Sequence, residues 1–246
     1  MYTANKEPML SPSTRLGDYR ELLQGFLDQG YSFRFFNQMK QEHGEIILRH
    51  DVDFDTHMAL KTAQIETDLG VKSTYFFLIR SNFYNILSPT DFDQVRAIKE
   101  LGHKISVHFD PLIYQEFHEG LAQEIEIFER LFEEKVDIIS LHRPNEFFKE
   151  YDTPIHGVEH TYQNKYFKEI KYISDSTGAF RYGHPFESEE FAQGKSIHLL
   201  IHPVWWIMRG QTNLEKLRKY YEKRKEALKK DFYNNCIPFR DIYETI

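Results

Sequence analysis

Short apolar runs alternate with longer amphipathic stretches through most of this chain. Glu45-Ile46-Ile47-Leu48-Arg49-His50 reads as a strand, and residues 56–69 follow as an amphipathic helix stopped by Gly70. Residues 73–78, rich in β-branched and aromatic side chains, predict a second strand. A helix over 91–101 comes next, stopped by Gly102. Residues 104–109 predict a third strand, 121–134 a long acidic helix and 136–142 a fourth strand. Two further strands are expected at 171–174 and 197–202, and a closing helix rich in Lys and Glu at 214–233. Upstream, residues 1–12 read as a loose arm, and Ser13 or Thr14 as the cap of a first helix ending near Gln29. Strand–helix alternation of this kind predicts an α/β fold with a parallel sheet, open or closed into a barrel. The 12 glycines and 9 prolines are scattered, without a linker-like tract or repeat, which predicts one domain over 1–246.

The polar residues acquire a pattern once they are set on these elements. His50-Asp51, His108 with Asp110, His142-Arg143-Pro144, Asp175 and His202-Pro203 each follow an apolar run directly. In parallel α/β folds the C-terminal strand ends converge on one face, where ligands bind. Each residue alone has an ordinary explanation. A single strand histidine is usually hydrogen-bonded in a core, Arg143 can serve a structural ion pair, and Asp55 or Asp53 can cap the helix beginning near Thr56. Gathered at five strand ends, such charge is costly to bury unless it binds something. The carboxylates of Asp51 and Asp53, at i and i+2 of an extended segment, can point the same way, so that one ligates a cation while the other acts as a base. With His108 the donor set suits zinc or another late divalent metal.

Composition narrows the class further. A net charge of −7 argues against nucleic acid or an anionic membrane as the main partner. The single Cys236 excludes a disulfide framework, a cysteine zinc ribbon and an iron–sulfur cluster. Apolar runs fall short of the ~18–20 residues of a membrane span. The first twenty residues lack a signal-peptide pattern, so a cytoplasmic, reducing location is expected.

The ordered set of motifs resembles the polysaccharide deacetylases, carbohydrate esterase family 4 with the NodB homology domain. His50-Asp51-Val52-Asp53 resembles that family's first motif, and Gly102-His103-Lys104-Ile105-Ser106-Val107-His108 its second. Arg143-Pro144 resembles the third, Asp175-Ser176 the fourth, and Leu199-Leu200-Ile201-His202-Pro203 the last. The matches run from about residue 45 to 204 in the family's order. The resemblance implies a distorted (β/α)7 barrel with parallel strands. It implies Asp51 as general base held by Arg143, and His202 as general acid oriented by Asp175. Asp53 and His108 would be metal ligands, for zinc first, with cobalt or nickel as alternatives. One position departs from the pattern: Leu112 stands where the family has a further ligand histidine. His142 is the candidate replacement, ahead of Asp110; His50 can support the site without ligating, and His103 reads as structural.

The expected reaction is removal of an acetyl group from an N-acetylated sugar, nucleotide- or lipid-linked, in surface polysaccharide synthesis such as that of O-antigen. Trp205 and Trp206 can stack on a pyranose or pack in the core. Arg181 and His184 can reach an anionic part of a substrate or belong to a solvated loop. Two other readings stand beside this one: a sugar-binding relative whose metal site has decayed, and a non-haem iron enzyme with two histidines and one carboxylate.

Overall fold

The computed structural model describes residues 16–245, so the arm at 1–12 and the caps expected at Ser13 or Thr14 lie outside the described residues. These residues fall into two compact units, the first running to Trp206 and the second beginning at Ile207. In the first unit α1 (Tyr19–Asp28) is capped by Asp18, whose carboxylate accepts from the Glu21 N–H at 3.1 Å. Strands β1 (Ser32–Arg34) and β2 (Glu45–Val52) precede α2 (Thr56–Asp68), which is followed by β3 (Thr74–Phe77) and α3 (Pro89–Glu100). Next come β4 (Lys104–Phe109), α4 (Phe117–Phe132), β5 (Ile138–Leu141) and the short α5 (Glu146–Glu150). The unit ends with β6 (Glu159–His160), α6 (Asn164–Phe167), β7 (Lys171–Ser174), α7 (Glu189–Ala192), β8 (Ile197–Ile201) and all but the last residue of the turn-length α8 (Pro203–Ile207). In the second unit α9 (Asn213–Asn235) is capped by Thr212 and followed by two 3₁₀ turns.

Among the described residues every ladder between these strands is parallel, in the order β6-β5-β4-β3-β2-β8-β7, with β1 added alongside β2. Among the described residues no ladder joins β6 to β7, so the barrel is incomplete, as the distorted (β/α)7 expectation requires. Its curl brings Ile47 of β2 and Ile138 of β5 into one internal cluster with Phe36, Phe76, Tyr166 and Ile170. Outside, α2, α3 and α4 cover the sheet through Ala59, Ala63, Val95, Ile98, Leu121 and Phe128, which pack with Val52, Tyr75 and Phe77. All eight residues of β2 are buried, which explains its continuous apolar run.

The period-2 alternation of β2 divides its polar residues between two environments. Ile47, Arg49 and Asp51 line the concave interior, where the Arg49 guanidinium sits 5.3 Å from the Tyr162 ring. His50 turns the other way, stacked on Tyr75 at 4.2 Å and donating to Glu66 of α2 at 2.6 Å. The parallel arrangement then delivers the C-terminal ends of β2, β4, β5, β7 and β8 to one rim. Asp55 caps α2, accepting from the Met58 N–H at 3.0 Å, which frees Asp53 for another role.

Candidate metal centre

At that rim three side chains meet. Asp53 follows β2, His108 is the penultimate residue of β4, and His142 leaves β5 with its N–H bonded to the Phe109 carbonyl at 2.7 Å. Asp53 Oδ1 lies 3.2 Å from His108 Nε2 and 3.4 Å from His142 Nδ1, and the two ring nitrogens are 3.0 Å apart. Donors bound at ~2.0–2.1 Å to one tetrahedral ion stand about 3.4 Å from one another, so this triangle fits a single divalent cation. Asp53 Oδ1 is buried yet, among the described residues, accepts no well-aligned hydrogen bond, as an oxygen reserved for a cation would. On the far side of its ring, His108 Nδ1 is fixed by the Ser140 hydroxyl at 2.6 Å, which orients Nε2 toward the triad. Burial would raise the Asp53 carboxyl, but the two imidazoles outweigh it and hold the group well below the usual carboxylate range. Asp53, His108 and His142 thus form a candidate metal-binding group. Leu112 is half-exposed on the turn after β4.

Two further pairs flank the triad. Asp51 receives both a 2.8 Å bond from Arg49 Nε and a 2.6 Å bond from Arg49 Nη2. Burial pushes the Asp51 carboxyl up, and Arg49 more than reverses this, bringing it to about 2. Across the same crevice, His202 Nδ1 donates to Asp175 Oδ1 at 2.6 Å, and its Nε2 lies 3.9 Å from Asp53 Oδ2. Burial alone would lower the His202 imidazole; the Asp175 carboxylate raises it instead to about 9. Asp175 also accepts from the His202 backbone N–H at 2.9 Å and from Trp206 Nε1 at 2.7 Å, so its charge is tightly held.

The remaining candidates are distributed differently. Arg143 donates to Asp110 at 2.8 Å; the guanidinium on Asp51 belongs to Arg49, a residue the motif reading passed over. Trp205 is buried, while Trp206 packs on Tyr19 with ring centroids 5.3 Å apart. Arg181 and His184 line a separate cavity of about 410 Å³ that includes Tyr172 and Tyr182. His50 and His103 both approach Glu66 behind the sheet, at 2.6 and 3.4 Å. The triad opens into a cleft of about 380 Å³ bounded by Phe54, Phe83, Arg80 and Arg143. A larger cavity, about 890 Å³, opens near Gln41, Phe167 and Lys195 and contains none of the triad.

No profile of a known protein family matches the sequence, and no curated protein matches it. Solved structures do resemble it. One is a peptidoglycan N-acetylglucosamine deacetylase, 16% identical over 83% of this chain and 89% of that one, with a TM-score of 0.45. A second is a family 4 carbohydrate esterase from Bacillus anthracis, 15% identical over 84% and 86%, with a TM-score of 0.43. A third, at 12% identity over 74% and 84% and a TM-score of 0.37, is a family 4 acetyl xylan esterase from Clostridium thermocellum in complex with a cobalt ion. These likenesses, at 16% identity or less, are of the fold.

Proposed function

We propose that this protein is a metal-dependent hydrolase that removes the acetyl group from an N-acetylated sugar. The observation that carries the reading is the placement of opposite proton-transfer groups beside one triad: Asp51, held ionised, and His202, held protonated. Two titratable groups driven apart in this way divide into base and acid.

Asp53, His108 and His142 would hold the divalent cation, zinc first, which when bound polarises the amide carbonyl and acidifies the attacking water. Asp51 takes the proton from that water as its oxygen adds to the carbonyl carbon. A carboxylate near 2 is a weak base, so its competence depends on the water being acidified. Arg49 fixes the direction of the Asp51 lone pairs and holds the charge in a buried site. As the C–N bond breaks, His202 delivers its Nε2 proton to the departing amine, leaving acetate and the free amino sugar. Asp175 keeps that proton on Nε2 by accepting the one on Nδ1. Transfers of this kind are worth ~10²–10⁴-fold each.

The donor set of two histidines and one aspartate also suits non-haem iron. The flanking acid and base favour hydrolysis, since oxygen activation has no need of either. An N-acetylated sugar on the way to a surface polysaccharide, as in O-antigen synthesis, is the substrate and setting that the motif resemblance suggests. The test is acetate release from N-acetylated sugars by the zinc-reconstituted protein. Asp51→Asn should abolish turnover while retaining metal; normal turnover in that variant would remove Asp51 from the mechanism.

A further inference from the structure

The cleft above the triad carries two arginines that the proposed reaction does not use. Arg143 follows the ligand His142 directly, in the left-handed region at φ 46°, a conformation unusual for a bulky residue. Its side chain is 72% exposed, but one guanidinium nitrogen is anchored at 2.8 Å to Asp110, which is nearly buried. Asp110 is in turn fixed by the Leu112 N–H at 3.1 Å. Arg80, 57% exposed, lies with its guanidinium carbon 4.9 Å above the Tyr114 ring. The Tyr114 hydroxyl donates at 2.5 Å to the buried Glu124, whose carboxylate is 3.9 Å from Arg80 Nε. Both guanidinium groups are thus steadied from behind and bound the same cleft as Asp53 and His142.

The acidic groups of this cleft leave much of that donor capacity open. Asp53 belongs to the triad, Asp110 is engaged by Arg143 and Leu112, and Glu124 is bonded to Tyr114. Each guanidinium has five N–H donors, of which Arg143 uses one on Asp110. Anchored, partly exposed guanidinium groups are the usual means of recognising a planar carboxylate or a phosphate. The cleft also presents Phe83, 42% exposed and packed on Phe54 at 4.7 Å, an apolar surface suited to a sugar face.

We infer that Arg80 and Arg143 form a subsite for an anionic group, phosphate or carboxylate, carried by the molecule whose reacting bond lies at the triad. As a statement about substrate this rests on the deacetylase reading, and it narrows that reading to an N-acetylated sugar bearing a negative charge.

Calorimetric titration of the zinc-loaded protein with inorganic phosphate, with succinate and with neutral N-acetylglucosamine tests it. The quantity read is the change from wild type to Arg80→Gln or Arg143→Gln, in which any contact of the anion with the metal cancels. At least one anion should bind tenfold or more weakly to each variant while the neutral sugar changes less than twofold; the anion more affected identifies the group. Arg143→Lys, retaining charge without the fork, should fall between. The inference is overturned if wild type binds neither anion, if anion affinities in the glutamine variants stay within twofold, or if the neutral sugar weakens in parallel. Acetate release, measured separately, distinguishes the two failures. Turnover without arginine dependence overturns the subsite alone, and arginine-dependent anion binding without turnover on any acetylated sugar overturns the deacetylase reading alone.

Discussion

Arg49 and Asp51, two residues apart on one strand, close a bidentate ion pair inside the barrel, with bonds of 2.8 and 2.6 Å and almost no exposure of either side chain. A buried pair of this kind adds little beyond what an apolar pair would, but losing one partner leaves an uncompensated charge. Arg49→Met should therefore destabilise the fold by about 3–5 kcal/mol. Adding Asp51→Leu to that variant should restore most of the loss. Urea unfolding of the two variants checks this, and equal stability of Arg49→Met and wild type would mean the pair is not formed.

His202 sets the alkaline limit of the proposed reaction. Its imidazole is raised from 6.5 to about 9, so the acid form is fully present at neutral pH and is lost as pH rises through about 9. Asp51, at about 2, stays ionised throughout that range and does not shape the limb. The kcat/KM profile should fall with a midpoint near pH 9. His202→Gln should lower the rate ~10²–10⁴-fold and abolish that limb. A limb that persists unchanged in His202→Gln would assign it to another group.

Behind the sheet, Glu66 is fully buried and accepts from Tyr19, from Tyr75 at 2.9 Å, from Ser73 at 2.5 Å and from His50 at 2.6 Å. Burial would raise its carboxyl, and His50 reverses that to keep it charged. Glu66→Ala would leave these donors without their acceptor and should cost on the order of 3–5 kcal/mol. Because the cluster lies on the helix side of β2, metal stoichiometry of the folded variant should be unchanged. Thermal unfolding with parallel metal analysis separates the two effects; metal loss in a still-folded Glu66→Ala would couple the two faces of the sheet.

Much of this arrangement was legible in the sequence because parallel strands place their last residues on one rim. The carboxylates of Asp51 and Asp53 could be grouped with His108 from strand ends before any distance was known, whereas His142 entered as a ligand only through the departure at Leu112 from the motif the chain resembles. Arg49 was passed over because it stands within an apolar run. The signal was nonetheless present, since a charge inside Ile46-Ile47-Leu48-Arg49 needs a partner on its own face, and Asp51 is the residue at i+2. The pairing of Arg143 with Asp110 depends on how the turns after β4 and β5 approach each other, which no local pattern encodes. Likewise Trp206 reads as a stacking or core residue from sequence, whereas α8 directs its indole N–H onto Asp175. Strands β1 and β6, three and two residues long, are too short to leave a periodic signature. Helix α4 begins at Phe117, a turn before the expected 121, because the stretch Phe117-His118-Glu119-Gly120 has no apolar period of its own.

The central claim is that Asp53, His108 and His142 hold one catalytic metal ion. Metal content by mass spectrometry, after zinc reconstitution and removal of excess ion, tests it in wild type and in Asp53→Ala, His108→Ala and His142→Ala. About one ion per chain in wild type, lost in all three folded variants, is the predicted result. No ion in the reconstituted wild type, or full occupancy retained in Asp53→Ala, would contradict the account.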